Sequence, residues 1–292
     1  MTYVQDPHLR MKPTSVIIGC GYLGECLAAQ LSSEGRQVFV TARSARRLSD
    51  LETRLGVLGV QFDTGASISP LPVKELAAGA ALEVYCLLTP SALASDAARE
   101  RLLEFMAQLP VRRALLTSST GIYSARSGEI VTAESGIAPQ SERERRLLGI
   151  EEAWLRASVR FVVRLAGLYG AGRVIGAKSL RERALIPGRQ SALLNLIHRS
   201  DAVSLLRACM NSQRTARIEV GSDGTPVGRG EYYRYLAALL HAPAPRFDAP
   251  DAPGDGGKAV NPKSTMDRLT WRPAFPSFRE GLAEALACTT AE

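Results

Sequence analysis

Gly19, Gly21 and Gly24 follow the apolar run Val16-Ile17-Ile18 and open a helical stretch, so the order is strand, tight turn, helix. This spacing suits phosphate binding. Gly19 permits the sharp bend, Gly21 lets a pyrophosphate approach the backbone, and Gly24 lets helix and strand pack closely. The unpaired N–H groups and the positive dipole end of the helix at Tyr22 and Leu23 would hold the phosphates without a cationic side chain. A glycine-rich turn that binds nothing can share the spacing, but the flanking strand and helix favour a dinucleotide.

The second chemical signal is positive charge. About 20 residues beyond the first glycines, an Asp or Glu that holds the ribose 2′-hydroxyl marks NAD binders, and an Arg that meets the 2′-phosphate marks NADP binders. No acid occurs from Gly35 to Ser49, and Arg43 stands two residues past the apolar segment Gln37 to Thr41. The expected cofactor is therefore NADP(H) in preference to NAD(H), with Arg43 at the phosphate. Arg46 and Arg47 read as a solvated helix face.

The elements that must position these residues alternate. Helices are expected over 22–34, 45–55, 92–109 and 142–157, with strands at 15–18, 37–41, 57–62, 82–88, 113–117 and 159–165. Pro70 and Pro72 interrupt a weak helix, and Pro110 stops the clear amphipathic one. This alternation predicts an α/β, Rossmann-type doubly wound parallel sheet of about seven strands, the last at 216–220. The strand ends carry Asp63, Leu88, Thr89 and Ser118, where such a sheet gathers its ligands. Beyond Leu165 glycines and Pro187 break the rhythm, helices return at 201–210, 231–240 and 278–287, and 243–257 reads as a mobile linker. The expected domains are a dinucleotide-binding part, 11–167 plus 195–222, and a smaller interleaved substrate-binding part, 168–194 plus 223–292. Residues 1–10 read as a disordered extension.

Composition excludes several classes. The 292 residues carry a net charge of +7, with 31 Arg against 5 Lys. No basic block is interleaved with aromatics, so nucleic-acid binding rests on charge alone. The 5 Cys are odd in number and lack C-x-x-C spacing, which fits a reduced, cytoplasmic setting without a zinc site. No apolar run reaches membrane-spanning length.

Several segments together resemble the extended or atypical short-chain dehydrogenase/reductase family, the relatives of the NAD-dependent epimerases and dehydratases. They are the glycine turn, Asp63, the run Ser118-Ser119-Thr120-Gly121-Ile122-Tyr123, Arg164 to Gly170, Asn195 to Asp201, and Trp271-Arg272-Pro273 before Phe278 to Leu282. The commoner extended form carries one more residue between its first two glycines, which puts this chain beside the atypical members. The resemblance implies that Asp63 accepts from the adenine amino group and that Ser119 orients a substrate oxygen beside the nicotinamide. Thr120, Tyr169 and His198 would line the substrate, with His198 just ahead of a helix cap at Ser200 or Asp201. It also implies a sugar nucleotide or similar polar carbonyl compound as substrate.

One family feature is missing. Its chemistry uses a Tyr and a Lys four residues apart on the helix after the serine, so that both point at the cofactor from one face. Glu144 and Leu148 align with those positions, and none of the 8 Tyr has a Lys four residues on. Tyr123 or Glu144 could substitute, Glu144 only if burial raised its pKa. Cys20, at the helix start, reads better as a small residue filling a tight turn than as an activated thiol. The reading is an NADP(H)-dependent oxidoreductase or epimerase with altered acid/base residues. The alternative is a non-catalytic NADP-binding sensor or scaffold protein.

Overall fold

The computed structural model describes residues 13–66, 82–124, 128–157, 159–251 and 256–287. The expected N-terminal extension and the Pro70–Pro72 segment lie outside them. The fold is α/β, built on a seven-stranded parallel sheet whose strands lie in the order Ile218–Gly221, Arg160–Leu165, Val111–Ser119, Leu82–Cys86, Ser15–Ile18, Val38–Ala42 and Leu58–Gln61. The chain divides into two compact units, residues 1–114 and 115–292.

In the first unit, β1 (Ser15–Ile18) pairs in parallel with β2 (Val38–Ala42) and with β4 (Leu82–Cys86), and β2 pairs with β3 (Leu58–Gln61). All residues of β1 and β4 are buried. This explains their continuous apolar runs, because a strand covered on both faces has no solvent side to alternate with. Glu83 is the charged exception in β4, and Arg36 and Arg112 both pair with it.

Helix α1 (Tyr22–Ser33) follows the glycine turn, and α2 (Ala45–Leu55) is capped by Ser44, whose hydroxyl accepts from Arg47 N. The next described helix, Asp96–Ala107, starts four residues later than its apolar pattern suggests. Pro90 to Leu93 form a turn instead, and Ser95 caps the helix by accepting from Ala98 N at 3.1 Å.

β5 (Val111–Ser119) contains the boundary between the units. In the second unit, β7 (Arg160–Leu165) pairs in parallel with β11 (Ile218–Gly221). Short pairs surround them: β6 (Ile130–Val131) with β13 (Ala259–Val260), β8 (Gly167–Tyr169) with β10 (Leu196–His198), and β9 (Leu193–Leu194) with β12 (Val227–Gly228). Tyr169, Leu180, Leu196, Tyr232, Leu236, Phe278 and Leu282 share one core cluster.

The stretch expected to be a mobile linker is stitched down in its described part. Asp248 N donates to Ile186 O at 3.1 Å, and the Asp248 and Asp251 carboxylates accept from Gly188 N and Ser191 N at 2.6 and 2.9 Å. A Pro- and Asp-rich composition hides such side-chain-to-backbone bonds, since it resembles that of solvated chain. Among the described residues no helix is long and apolar enough to cross a membrane.

Candidate functional site

The glycine turn borders a cavity of about 840 Å³ in the first unit. Gly19 has φ +89°, and a Cβ there would fall 2.9 Å from Leu88 Cδ2. Gly24 is equally constrained, because its Cβ would meet Gly19 O at 3.0 Å. Thr41, which the sequence reading did not single out, anchors the turn: Gly19 N donates to Thr41 Oγ1 at 2.9 Å and Cys20 N to Thr41 O at 3.1 Å.

Gly21 differs from both of its neighbours. A Cβ on it would meet nothing within 4 Å, and it caps α1 without any side-chain hydrogen bond. No protein atom near Gly21 demands glycine there, and open space at a helix start is what an approaching phosphate requires. Tyr22 is half-buried and Leu23 buried, and neither lines the cavity. Any part they play would be through their backbone amides.

Four other expected residues line the same cavity: Arg43, Asp63, Leu88 and Thr89. Asp63 Oδ1 accepts from Gly65 N at 2.8 Å, which holds the carboxyl at the strand end. Arg43 is exposed, and its guanidinium has no partner among the described residues. Arg47 also reaches the cavity but is not the solvated side chain expected, since Glu25 and Asp50 both bind it. The Cys20 thiol is buried, and burial pushes it up to about 12, so it stays a thiol in its tight turn.

In the second unit β5 delivers Ser118 and Ser119. Ser118 Oγ is buried without a hydrogen-bond partner. Ser119 Oγ accepts from Gly121 N at 3.0 Å, capping the short 3-10 turn that contains buried Thr120. The Ser119 hydroxyl thus keeps its own proton to donate.

Neither substitute for the missing acid/base is poised for it. Tyr123 is buried; its hydroxyl donates to Thr132 O at 2.6 Å and accepts from Arg164 Nη1 at 2.8 Å. Burial holds its pKa above the usual value. Glu144 is the third residue of the helix Glu142–Trp154 and completes a capping box with Ser141. Its Oε2 accepts from Gln140 N, Ser141 N and Ser124 Oγ at 2.7, 3.0 and 3.2 Å. Desolvation is the largest single influence and acts upward, but these bonds together outweigh it and hold the carboxyl below its usual range, opposite to the rise that acid/base work requires.

Tyr169 and His198, expected to line a substrate or, for His198, to be structural, are both buried. Tyr169 is 0% exposed inside the apolar cluster, and His198 packs edge-on against it. His198 is itself the helix cap, accepting from Ser200 N at 3.4 Å, while Nε2 meets Glu284 at 3.0 Å. Burial holds its pKa below the usual value. Asp201, one of the two expected caps, instead accepts from Ala274 N and Phe275 N at 2.7 and 3.0 Å.

A chain search against family models gives no match. Protein YeeZ of Escherichia coli is 26% identical over 251 residues, 79% of this chain and 85% of its own length. Among solved structures, a protein from Methylobacillus flagellatus named as an NAD-dependent epimerase/dehydratase superposes with TM-score 0.79 at 22% identity, over 96% of this chain and 99% of its own. This chain has the epimerase/dehydratase fold. Two further structures share that fold at lower identity. MoeE5 in complex with UDP-glucose and NAD gives TM-score 0.74 at 20% identity, covering 95% of this chain and 99% of its own. UDP-glucuronic acid 4-epimerase from Bacillus cereus, in complex with NAD, gives 0.76 at 13% identity, again over 95% and 99%. The extended and atypical short-chain dehydrogenase architecture that the motifs resemble is the architecture of these neighbours.

Proposed function

We propose that this chain is an NADP(H)-binding protein of the atypical short-chain dehydrogenase/reductase type, with a sugar nucleotide or similar polar carbonyl compound as its second ligand. The observation that carries the reading is Gly21: it stands at an uncapped helix start, faces open cavity, and would tolerate a Cβ as far as protein atoms are concerned. The pyrophosphate would rest on the amides of the first turn of α1, Asp63 would accept from the adenine amino group, and Leu88 and Thr89 would complete the wall. Bound, the cofactor would supply hydride exchange; Ser119 would donate its hydroxyl proton to a substrate oxygen.

NADP(H) is preferred over NAD(H) because the Arg43 guanidinium lines the cavity with no partner among the described residues, whereas Arg47 is paired with Glu25 and Asp50 and Arg101 donates to Thr64 O. Hydrogen bonds to charged groups contribute about 1.5–3 kcal/mol each, and about 1.4 kcal/mol is tenfold in affinity. Calorimetric titration should therefore give at least tenfold tighter binding of NADPH than NADH, and Arg43→Asp should erase the difference. Equal affinities in the unaltered protein would refute the preference.

A second reading, cofactor binding without turnover, is favoured by one observation. The Tyr123 hydroxyl and the Glu144 carboxylate are both committed to structural hydrogen bonds. Under that reading the protein is a sensor or scaffold whose NADP(H) occupancy is the signal. A panel of UDP-sugars with NADPH separates the two, since robust turnover excludes the sensor. We assign the smaller substrate-side part to 168–194 plus 223–292, whose residues supply most of the aromatic core cluster of the second unit.

A further inference from the structure

Lys258 lies half-buried in the second unit, and its Nζ donates to Tyr123 O at 2.7 Å. It has no other partner among the described residues, so two of its three N–H groups are unmatched. Burial draws its pKa down. A partly desolvated ammonium without an anion is unfavourable, and side-chain entropy would ordinarily carry such a long residue into water. The Lys258 backbone is itself fixed beside the Tyr123 carbonyl. Asn195 Nδ2 donates to Lys258 O at 2.9 Å, Val260 N donates to Asn195 Oδ1 at 2.7 Å, and the next two residues form β13 against β6.

A second cation stands at the same short turn, which Lys258 meets at its cap residue Tyr123 and Arg143 meets beside Gly121. Arg143, at the start of the helix Glu142–Trp154, makes no hydrogen bond or ion pair among the described residues. A Cβ built on Gly121 would lie 3.6 Å from Arg143 Nη2 and 3.1 Å from Ser119 Oγ, so guanidinium and hydroxyl flank one small volume. Burial draws the Lys258 pKa down, Glu144 acts to raise it and Arg143 acts with burial. Glu144 is the neighbouring acid, but its Oε2 is taken by Ser124, Gln140 and Ser141, and it bonds neither cation. The cluster keeps a surplus positive charge with donors unmatched.

We propose that Arg143, Lys258 and the Ser119 hydroxyl form an oxyanion-binding site in the second unit, one that takes the phosphate or carboxylate of the substrate. This deepens the reading of a sugar-nucleotide ligand and rests on it for the identity of that ligand. The shared chemistry is a compact oxyanion: Arg143 offers a planar fork, and Lys258 a point charge that the folded backbone already holds in position. Such an anion would supply the directly bonded counter-charge that Glu144, nearby but committed to Ser124, Gln140 and Ser141, does not give Lys258.

The test is calorimetric titration of the full chain, without cofactor, with UDP-glucose, UDP-glucuronic acid, free glucuronate and pyrophosphate. At least one probe should bind, with affinity reduced tenfold or more in Lys258→Met and severalfold in Arg143→Gln, and largely restored in Lys258→Arg. Charge-dependent loss for pyrophosphate and UDP-glucose assigns the anion as phosphate; loss confined to glucuronate and UDP-glucuronic acid assigns it as carboxylate. If Lys258→Met fails to give a cooperative melt, exposed Arg143→Gln decides alone. The proposal is overturned if none of the four probes binds, or if the folded variants bind every probe as the unaltered protein does. NADPH titrated in parallel keeps the two ideas apart: failure of NADPH to bind refutes the cofactor reading and leaves the oxyanion result standing.

Discussion

The Arg164 guanidinium donates to the Tyr123 hydroxyl at 2.8 Å, while its Nε and Nη2 grip the Glu151 carboxylate. All three side chains are buried, and Arg164 also lies 5.1 Å over the Tyr123 ring. Tyr123 thus ends a buried ionic network and is not presented to solvent. Tyr123→Phe should lower stability by about 1–3 kcal/mol, the effect of leaving a buried donor unmatched, and should leave NADPH affinity unchanged. Denaturant melts and calorimetry read the two quantities; a large loss of binding without loss of stability would return Tyr123 to the site.

Removing one partner of the ion pair itself should be more damaging. Arg164→Met strands the Glu151 carboxylate, which is 1% exposed. Breaking a buried pair from one side costs about 3–5 kcal/mol. Restoration of much of that loss by the double change Arg164→Met, Glu151→Leu would identify the stranded charge as the cause.

The two glycines of the turn should respond oppositely to alanine. Gly19→Ala places a Cβ at φ +89° and against Leu88, so melting should show a loss of about 1–3 kcal/mol. Gly21→Ala meets no protein atom and should melt like the unaltered protein or slightly higher, while NADPH affinity falls because the methyl enters the space assigned to the pyrophosphate. Unimpaired NADPH binding by Gly21→Ala would count heavily against the cofactor reading.

Arg43 and Arg47 line one cavity but should separate in experiment. Arg47→Ala removes a side chain already neutralised by Glu25 and Asp50, so the ratio of NADPH to NADH affinity should stay at its original value. A ratio that collapses in Arg47→Ala and survives in Arg43→Asp would exchange their roles.

Stability should depend on pH through Asp223. Burial pushes its carboxyl up to about 7, nearby Asp201 and Glu280 act in the same direction, and the amide of Thr225 opposes them. Its Oδ2 is buried without a partner. The folded carboxyl therefore keeps a proton that the unfolded chain, with an ordinary Asp, has released. Stability from this group is fully present below about pH 4 and is lost as pH rises toward 7 and above. Asp223→Asn should melt like the unaltered protein below about pH 4 and at a higher temperature at pH 8. Identical pH profiles for the two would exclude Asp223 as the source.

Much of the first unit was legible from residue order because its signals are local. A continuous apolar run marks a strand covered on both faces and a glycine that must adopt positive φ marks the turn, each within a few residues of its cause. The absence of a Tyr-x-x-x-Lys pair was equally plain, since it concerns spacing along one helix. What tertiary structure decided were the partners. Tyr123, Tyr169 and His198 look alike in sequence as polar rings near strand ends, yet Arg164, the apolar cluster and Glu284 bury all three. Glu144 became a helix cap because Ser141 stands three residues before it, a local signal that the family alignment overshadowed. Lys258 is 135 residues from the Tyr123 carbonyl it meets, brought there by a two-residue strand and the Asn195 amide. Neither periodicity nor spacing encodes such a meeting, because burial and charge pairing depend on which surfaces long-range packing brings together.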